Sequence, residues 1–299
     1  MRTLTLIPLL ALACTQPHVP DERPANACEA GAFPRKEMVL VVKADGKERR
    51  ALVWIPPGPG PHPVVVNLHE FRSNPRQQMR YSGWADHVAG SGAILVAPDG
   101  KYATWNAGEC CGRAVTKHVD DVKYLDAIID KLDKVTCTSG EVLATGIGNG
   151  AMMAEMWSCE SDKPTAVVSV GGSLQWHECR NKEPVPLLHY HGDADTFIPM
   201  DASKTGLAEQ EGIKRTVDHA IGIWTARNKA KEAAKTENGA LACQSWDGEA
   251  KVTRCIVKGG TDTWPGAPDG QVASTDPLAN ATTGAWDWVA ARWKERKRP

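Results

Sequence analysis

The sequence predicts an α/β domain with a mostly parallel central sheet and helices on both faces. Three observations predict it. Apolar runs such as Val64-Val65-Val66 and Val167-Val168 are continuous rather than alternating, as strands buried on both faces require. The stretch 120–135 carries Val122, Leu125, Ile128, Ile129 and Leu132 at near-helical spacing with charges on the opposite face. Residues 141–157 pass from an aliphatic, β-branched run through a glycine-rich turn into the strong helix formers around Ala151, Met152 and Met153.

The elements follow in order. Arg2, an apolar stretch over 4–13 and then Cys14 form a segment too short to span a bilayer, and the pattern predicts a secretory signal over 1–13. Leu10-Ala11-Leu12-Ala13-Cys14 also resembles a bacterial lipoprotein signal with Cys14 as the lipidated residue; simple secretion is the alternative. Residues 14–36, with Pro17, Pro20, Pro24 and Pro34, predict a tether without a core, and 37–299 the folded domain. Strands are expected at 38–42, 50–55, 64–68, 93–97, 142–145, 166–170, 186–190 and 251–257. Helices are expected at 76–90, 120–135, 150–159, 217–235 and 282–297. Polar residues 200–250 lack strand signals and are assigned to a small cap or insertion.

Composition narrows the function classes. A chain of 299 residues with 42% hydrophobic content suffices for one large core, and a net charge of -1 provides no basic field for nucleic acid. A membrane would be reached only through a lipid anchor. Setting Cys14 aside, eight of the nine cysteines remain, an even set with no C-x-x-C spacing, which favours disulfides over zinc. Cys243 is expected to pair with Cys255 and Cys159 with Cys179, while Cys110 and Cys111 are expected to reach separate partners.

The turn Thr145-Gly146-Ile147-Gly148-Asn149-Gly150 has the frame of a nucleophile elbow, G-x-S-x-G, with glycine in the place of the serine. Around it stand Leu68-His69, Pro98-Asp99-Gly100, Trp105-Asn106, Cys110-Cys111, Asp120-Asp121-Val122, His191-Gly192-Asp193-Ala194-Asp195 and Thr263-Trp264-Pro265-Gly266. In order and spacing these motifs resemble the polyhydroxybutyrate depolymerase and feruloyl esterase-like family of secreted α/β-hydrolases, over about residues 36–290. The resemblance implies an α/β-hydrolase fold, serine-esterase chemistry on polyester, feruloyl or acetyl esters, and no organic cofactor. It also implies a catalytic serine where this chain has Gly148, an acid at Asp195, a histidine where it has Asp262, and a glycine where it has Glu70.

These departures set the expectations. The Asn149 N–H is a candidate oxyanion donor, and Glu70 brings a negative charge beside it. Ser169 and Ser173, or His69, His177, His189 and His191, are candidates for substitute chemistry. Trp105 and Trp264 lie in loops near the expected cleft and either stack on a ligand or pack the core. Glu70, Asp195 and Asp262 would crowd three carboxylates together, shifting one pKa or recruiting calcium or magnesium, unless Asp262 turns outward in its Gly-Thr-Asp-Thr turn. Two functions follow: a binding protein for an ester, glycan or polymer, tethered to the envelope or secreted, and a carboxylic ester hydrolase with altered chemistry.

Overall fold

The structure is a computed structural model that describes residues 16–34, 36–198, 200 and 213–295. The signal-like segment and Cys14 lie outside the described residues. The strands are β1 (Met38–Ala44), β2 (Lys47–Trp54), β3 (His62–Leu68), β4 (Ile94–Pro98), β5 (Thr138–Ile147), β6 (Ala166–Val170), β7 (Leu187–Gly192), β8 (Lys231–Asn238), β9 (Leu241–Asp247) and β10 (Val252–Val257). They form one ten-stranded sheet in the order β1-β2-β4-β3-β5-β6-β7-β10-β9-β8. From β4 to β10 every neighbouring pair is parallel. The two edges, β1-β2 and β9-β8, are antiparallel, so the sheet is mixed.

The helices are α1 (Pro75–Tyr81), α2 (Trp84–Ser91), α3 (Gly112–Thr116), α4 (Asp121–Val135), α5 (Asn149–Glu160), α6 (Val217–Arg227) and α7 (Thr283–Glu295). Successive side chains of β3 point to opposite faces, and this alternation divides the core. Val64 and Val66 pack in the layer that holds Leu125, Ile128 and Leu132 of α4. Val65 joins the opposite layer with Trp84 and Val88 of α2 and Val289 and Trp293 of α7. The α4 helix starts where its stripe does: the Asp120 side chain accepts from the Lys123 N–H.

Four expectations are corrected. The helix expected at 76–90 is two helices, because Gly83 between them takes a φ of 72°. The helix expected at 217–235 ends at Arg227, and Lys231–Asn238 is an edge strand exposed along its whole length. Its lysines and glutamates carry no period-2 apolar signal because neither face is covered. Asn238-Gly239 is a hairpin turn signal that the assignment of 200–250 to a cap passed over. The cap expected over 200–250 is, from Val217 on, helix α6 followed by strands of the main sheet; 201–212 lie outside the described residues. Residues 16–34, expected as a coreless tether, bury Val19, Ala27 and Phe33 and pair through His18 beside Val39.

Disulfides join Cys28 to Cys137, Cys159 to Cys179 and Cys243 to Cys255. The last two cysteines are cross-strand partners on β9 and β10. Cys110 and Cys111 are bonded to each other, contrary to the separate partners expected; no third cysteine among the described residues is left over for either.

Candidate functional site

The carboxyl ends of β3, β5, β6 and β7 lie side by side, and in a sheet of this kind the crevice beyond those ends is where chemistry is placed. A single residue, Gly148, separates β5 from α5, with φ 50° and ψ -116°, a conformation in the positive-φ region that glycine adopts without Cβ strain. Next to it the elbow lies hard against β3. A Cβ on Gly150 would stand 2.3 Å from the Leu68 carbonyl oxygen.

The chain leaving β3 brings Glu70 over that turn. A Cβ on Gly148 would lie 1.5 Å from Glu70 Oε2 and 2.3 Å from its carboxyl carbon, so the carboxyl group fills the space where a side chain at 148 would begin. Glu70 Oε1 accepts from the Phe71 N–H and from the Asn149 N–H at 3.1 Å. Oε2 is shut away from solvent with no donor among the described residues. Burial pushes the Glu70 carboxyl up to about 8, the charge on Asp262 pushes the same way, and the two N–H donors oppose them.

Asn149 has a second task. Its Oδ1 accepts from the Trp105 N–H at 2.7 Å and from the Thr104 hydroxyl at 2.8 Å, and its Nδ2 donates to the Trp105 carbonyl at 3.1 Å, clamping that loop to the elbow. Trp105 is fully buried and donates through Nε1 to the His69 carbonyl at 2.9 Å. Trp264 is equally buried, with Nε1 donating to the Thr282 hydroxyl at 3.0 Å. Neither ring faces the cleft, which corrects the stacking expectation for both; loop position did not predict exposure, because each indole spends its N–H on the interior.

Asp195, after β7, turns into its own loop. Oδ1 accepts from the Phe197 N–H at 2.7 Å and the Ile198 N–H at 3.1 Å, and Oδ2 lies 3.3 Å from His191 Nε2. Burial raises its pKa. His191 is buried beside His189, which drives its pKa down to about 3, so the neutral ring donates through Nε2 to the Ile198 carbonyl. Asp262 lies by the end of β6, its Oδ1 2.7 Å from where a Cβ on Gly171 would stand. That oxygen too is buried with no donor among the described residues. Burial first, then the charge on Asp195, raise Asp262 to about 7.

Gly148, Asn149, Glu70 and Asp262 therefore meet at one cleft of about 450 Å³, walled by Phe71, Met152, Phe197, Ile198 and Ile213 and by the backbone of Cys111 and Gly112. Phe197 is 57% exposed at its mouth. These apolar walls were missed in the sequence, where isolated Phe and Ile residues in loops carry no period. The expected calcium or magnesium site at Glu70, Asp195 and Asp262 is corrected: among the described residues no three His, Cys, Asp or Glu side chains are arranged to hold a metal.

Three of the candidates for substitute chemistry, Ser169, Ser173 and His69, are engaged elsewhere, while both ring nitrogens of the buried His189 lack a hydrogen-bond partner among the described residues. Ser169 donates to Glu155 Oε1 at 2.6 Å and Ser173 to the Arg215 carbonyl at 2.9 Å. His69 is buried and neutral, accepting from the Gly100 N–H at 3.0 Å through Nε2 and donating through Nδ1 to the Glu70 carbonyl at 2.8 Å.

Parallel strands ending in a strand–glycine–helix turn, with a cleft above it, define an α/β-hydrolase fold. The chain belongs to the dienelactone hydrolase family, whose model matches residues 50–251. It is similar to a Nocardia uniformis subsp. tsuyamanensis protein named as an esterase, NocK, with 27% identity over 274 residues, 84% of this chain and 78% of that one. It is also similar to an Aspergillus flavus protein named as feruloyl esterase C, 29% identical over 154 residues, which cover 48% of this chain and 53% of the relative. Among solved structures, the dienelactone hydrolase-like promiscuous phosphotriesterase P91 from metagenomic libraries shares the fold at a TM-score of 0.52 and 14% identity, covering 86% of this chain and 98% of that chain.

Proposed function

We propose that this member of the family does not carry out serine ester hydrolysis and uses its cleft to bind a ligand. One observation carries the reading: the Glu70 carboxyl fills the space above Gly148 and accepts from the Asn149 and Phe71 N–H groups. In this reading Gly148 stands at the nucleophile position, Asp262 at the histidine position and Asp195 at the acid position. The two N–H groups are those that would stabilise a developing oxyanion, and they already hold a carboxyl oxygen. With nucleophile and base both missing, a serine hydrolase keeps only what binding and the oxyanion hole supply, and here the hole is filled.

An ester, glycan or polymer with an apolar portion suits the cleft, and the narrower kinship with polyhydroxybutyrate depolymerases belongs to this proposal. The names of the relatives favour the competing reading, a carboxylic ester hydrolase with altered chemistry. Purified protein incubated with nitrophenyl acetate and methyl ferulate should release no more product than a boiled control. Covalent labelling by a fluorophosphonate probe would overturn the reading, since it requires a working serine.

Export is part of the proposal. Disulfides among the described residues suit an oxidising compartment, and no described helix is long and apolar enough to cross a membrane. Cys14, outside the described residues, is proposed as the lipid attachment point. Metabolic labelling with a fatty-acid analogue should mark the wild type and be lost in Cys14→Ser; labelling that survives the substitution removes Cys14 as the attachment point, and a wild type that takes up no label is a simply secreted protein.

A further inference from the structure

We infer that the cleft above Gly148 takes an organic ammonium ion, its N–H groups bonded to Glu70 Oε2 and Asp262 Oδ1 and its apolar body against Phe71, Met152 and Ile198. This rests on the reading of the cleft as a binding site. Both oxygens line the same cleft, both are buried, and neither has a donor among the described residues. A buried acceptor left unpaired is costly, so the site is built for a partner that brings hydrogens. Glu70 Oε1 is already satisfied by two backbone N–H groups, which fixes the carboxyl and leaves Oε2 free.

The other ligand classes fit less well. An anion meets two carboxyls, and an ester suits the apolar walls but brings no hydrogen to either unpaired oxygen. A metal lacks a third side-chain ligand among the described residues. The cation already at the rim, Arg72, lies over the Phe71 ring at 4.9 Å and bonds neither Glu70 Oε2 nor Asp262 Oδ1. A primary ammonium presents three N–H donors and so can reach both oxygens, which a quaternary ammonium cannot do.

Binding should be linked to protons. Glu70 and Asp262 have raised pKa values, chiefly from burial, and each feels the other or Asp195. Facing them are the Phe71 and Asn149 N–H groups, the Tyr81 phenol, whose own pKa burial holds at about 12, and the exposed Arg72. Below pH 6 the pair is largely neutral and holds a cation weakly. As pH rises to 8 the pair ionises, the ammonium ion remains charged, and affinity grows.

The test is calorimetry on the full exported protein with 2-phenylethylammonium, its neutral counterpart 2-phenylethanol and the trimethylammonium analogue. At pH 8 the primary ammonium should bind at least tenfold more tightly than either. That preference should shrink at least tenfold at pH 5.5, and titrations in two buffers of different ionisation heat should register proton release. Glu70→Gln and Asp262→Asn should each weaken the ammonium at least tenfold and leave the alcohol unchanged, with melting curves confirming the fold. Equal binding of amine and alcohol, absence of binding, or affinity indifferent to pH and to both substitutions overturns the inference. An amine that fails to bind an esterase-inactive protein removes this inference alone, whereas ester turnover or fluorophosphonate labelling removes the non-catalytic reading whatever the amine does.

Discussion

Gly148→Ser is expected to destabilise the protein by about 3–5 kcal/mol, and Glu70→Gly in the same chain to relieve about half of that. Two costs add. A serine at φ 50° carries backbone strain of about 1–3 kcal/mol. Its Cβ also needs the space now held by the Glu70 carboxyl, which must swing out and give up two backbone N–H bonds, worth roughly 1–3 kcal/mol together. At about 2–4 °C per kcal/mol the melting temperature of the single variant should drop by roughly 10 °C. With Glu70→Gly present the steric term vanishes and only backbone strain is left. Melting curves for the four proteins of the double-mutant cycle should show a coupling of about 2 kcal/mol. Strictly additive effects would remove the claim that Glu70 fills the side-chain space at 148. Adding Asp262→His completes the three positions, and the triple variant should show nitrophenyl acetate hydrolysis above the wild type.

Thermal stability is expected to fall as pH rises from about 6.5 to 8. Glu70 and Asp262 have folded values of about 8 and about 7, above the ordinary 4.5 and 3.8. The folded protein therefore holds protons that the unfolded chain has already released, and the stability from these groups is full below about pH 4 and lost as pH rises through their folded values. The buried His69 and His191 and the half-buried His87, all lowered, add slope of the opposite sign that is largest below about 6.5, so the carboxyls dominate the higher window. About one proton over that window amounts to about 1–2 kcal/mol after allowance for partial exposure. The double variant Glu70→Gln, Asp262→Asn should flatten the melting temperature across it. A wild-type profile that is flat or rises from pH 6.5 to 8 contradicts the raised values.

Much of the elbow was legible because its signals are local. The run into Gly148 and the helix formers after it need no distant partner, and the glycine missing its hydroxyl is visible letter by letter. Glu70 was legible as a misplaced charge; that its carboxyl would lie on Gly148 and accept from Asn149 was not, because the two residues are 79 positions apart. The tryptophans failed for a related reason. Trp105 and Trp264 occupy loops by sequence, and only packing against His69 and Thr282 decides that their rings are interior.

The sequence by itself determined the mostly parallel core and the strand–glycine–helix turn, and it pointed to the Cys243–Cys255 and Cys159–Cys179 pairs that the structure contains. Each is set by side-chain period, turn chemistry or composition within a short window. Tertiary structure alone decided that Cys110 bonds to Cys111, that 16–34 packs on the domain and that 231–247 extends the sheet. It also turned one oxygen of Asp195 into its own loop, where the Phe197 and Ile198 N–H groups hold Oδ1, while its charge still acts on Glu70 and Asp262. Glu70 and Asp262 are left with unpaired oxygens at one cleft, an arrangement set by where strand ends converge in space and not by any spacing along the chain.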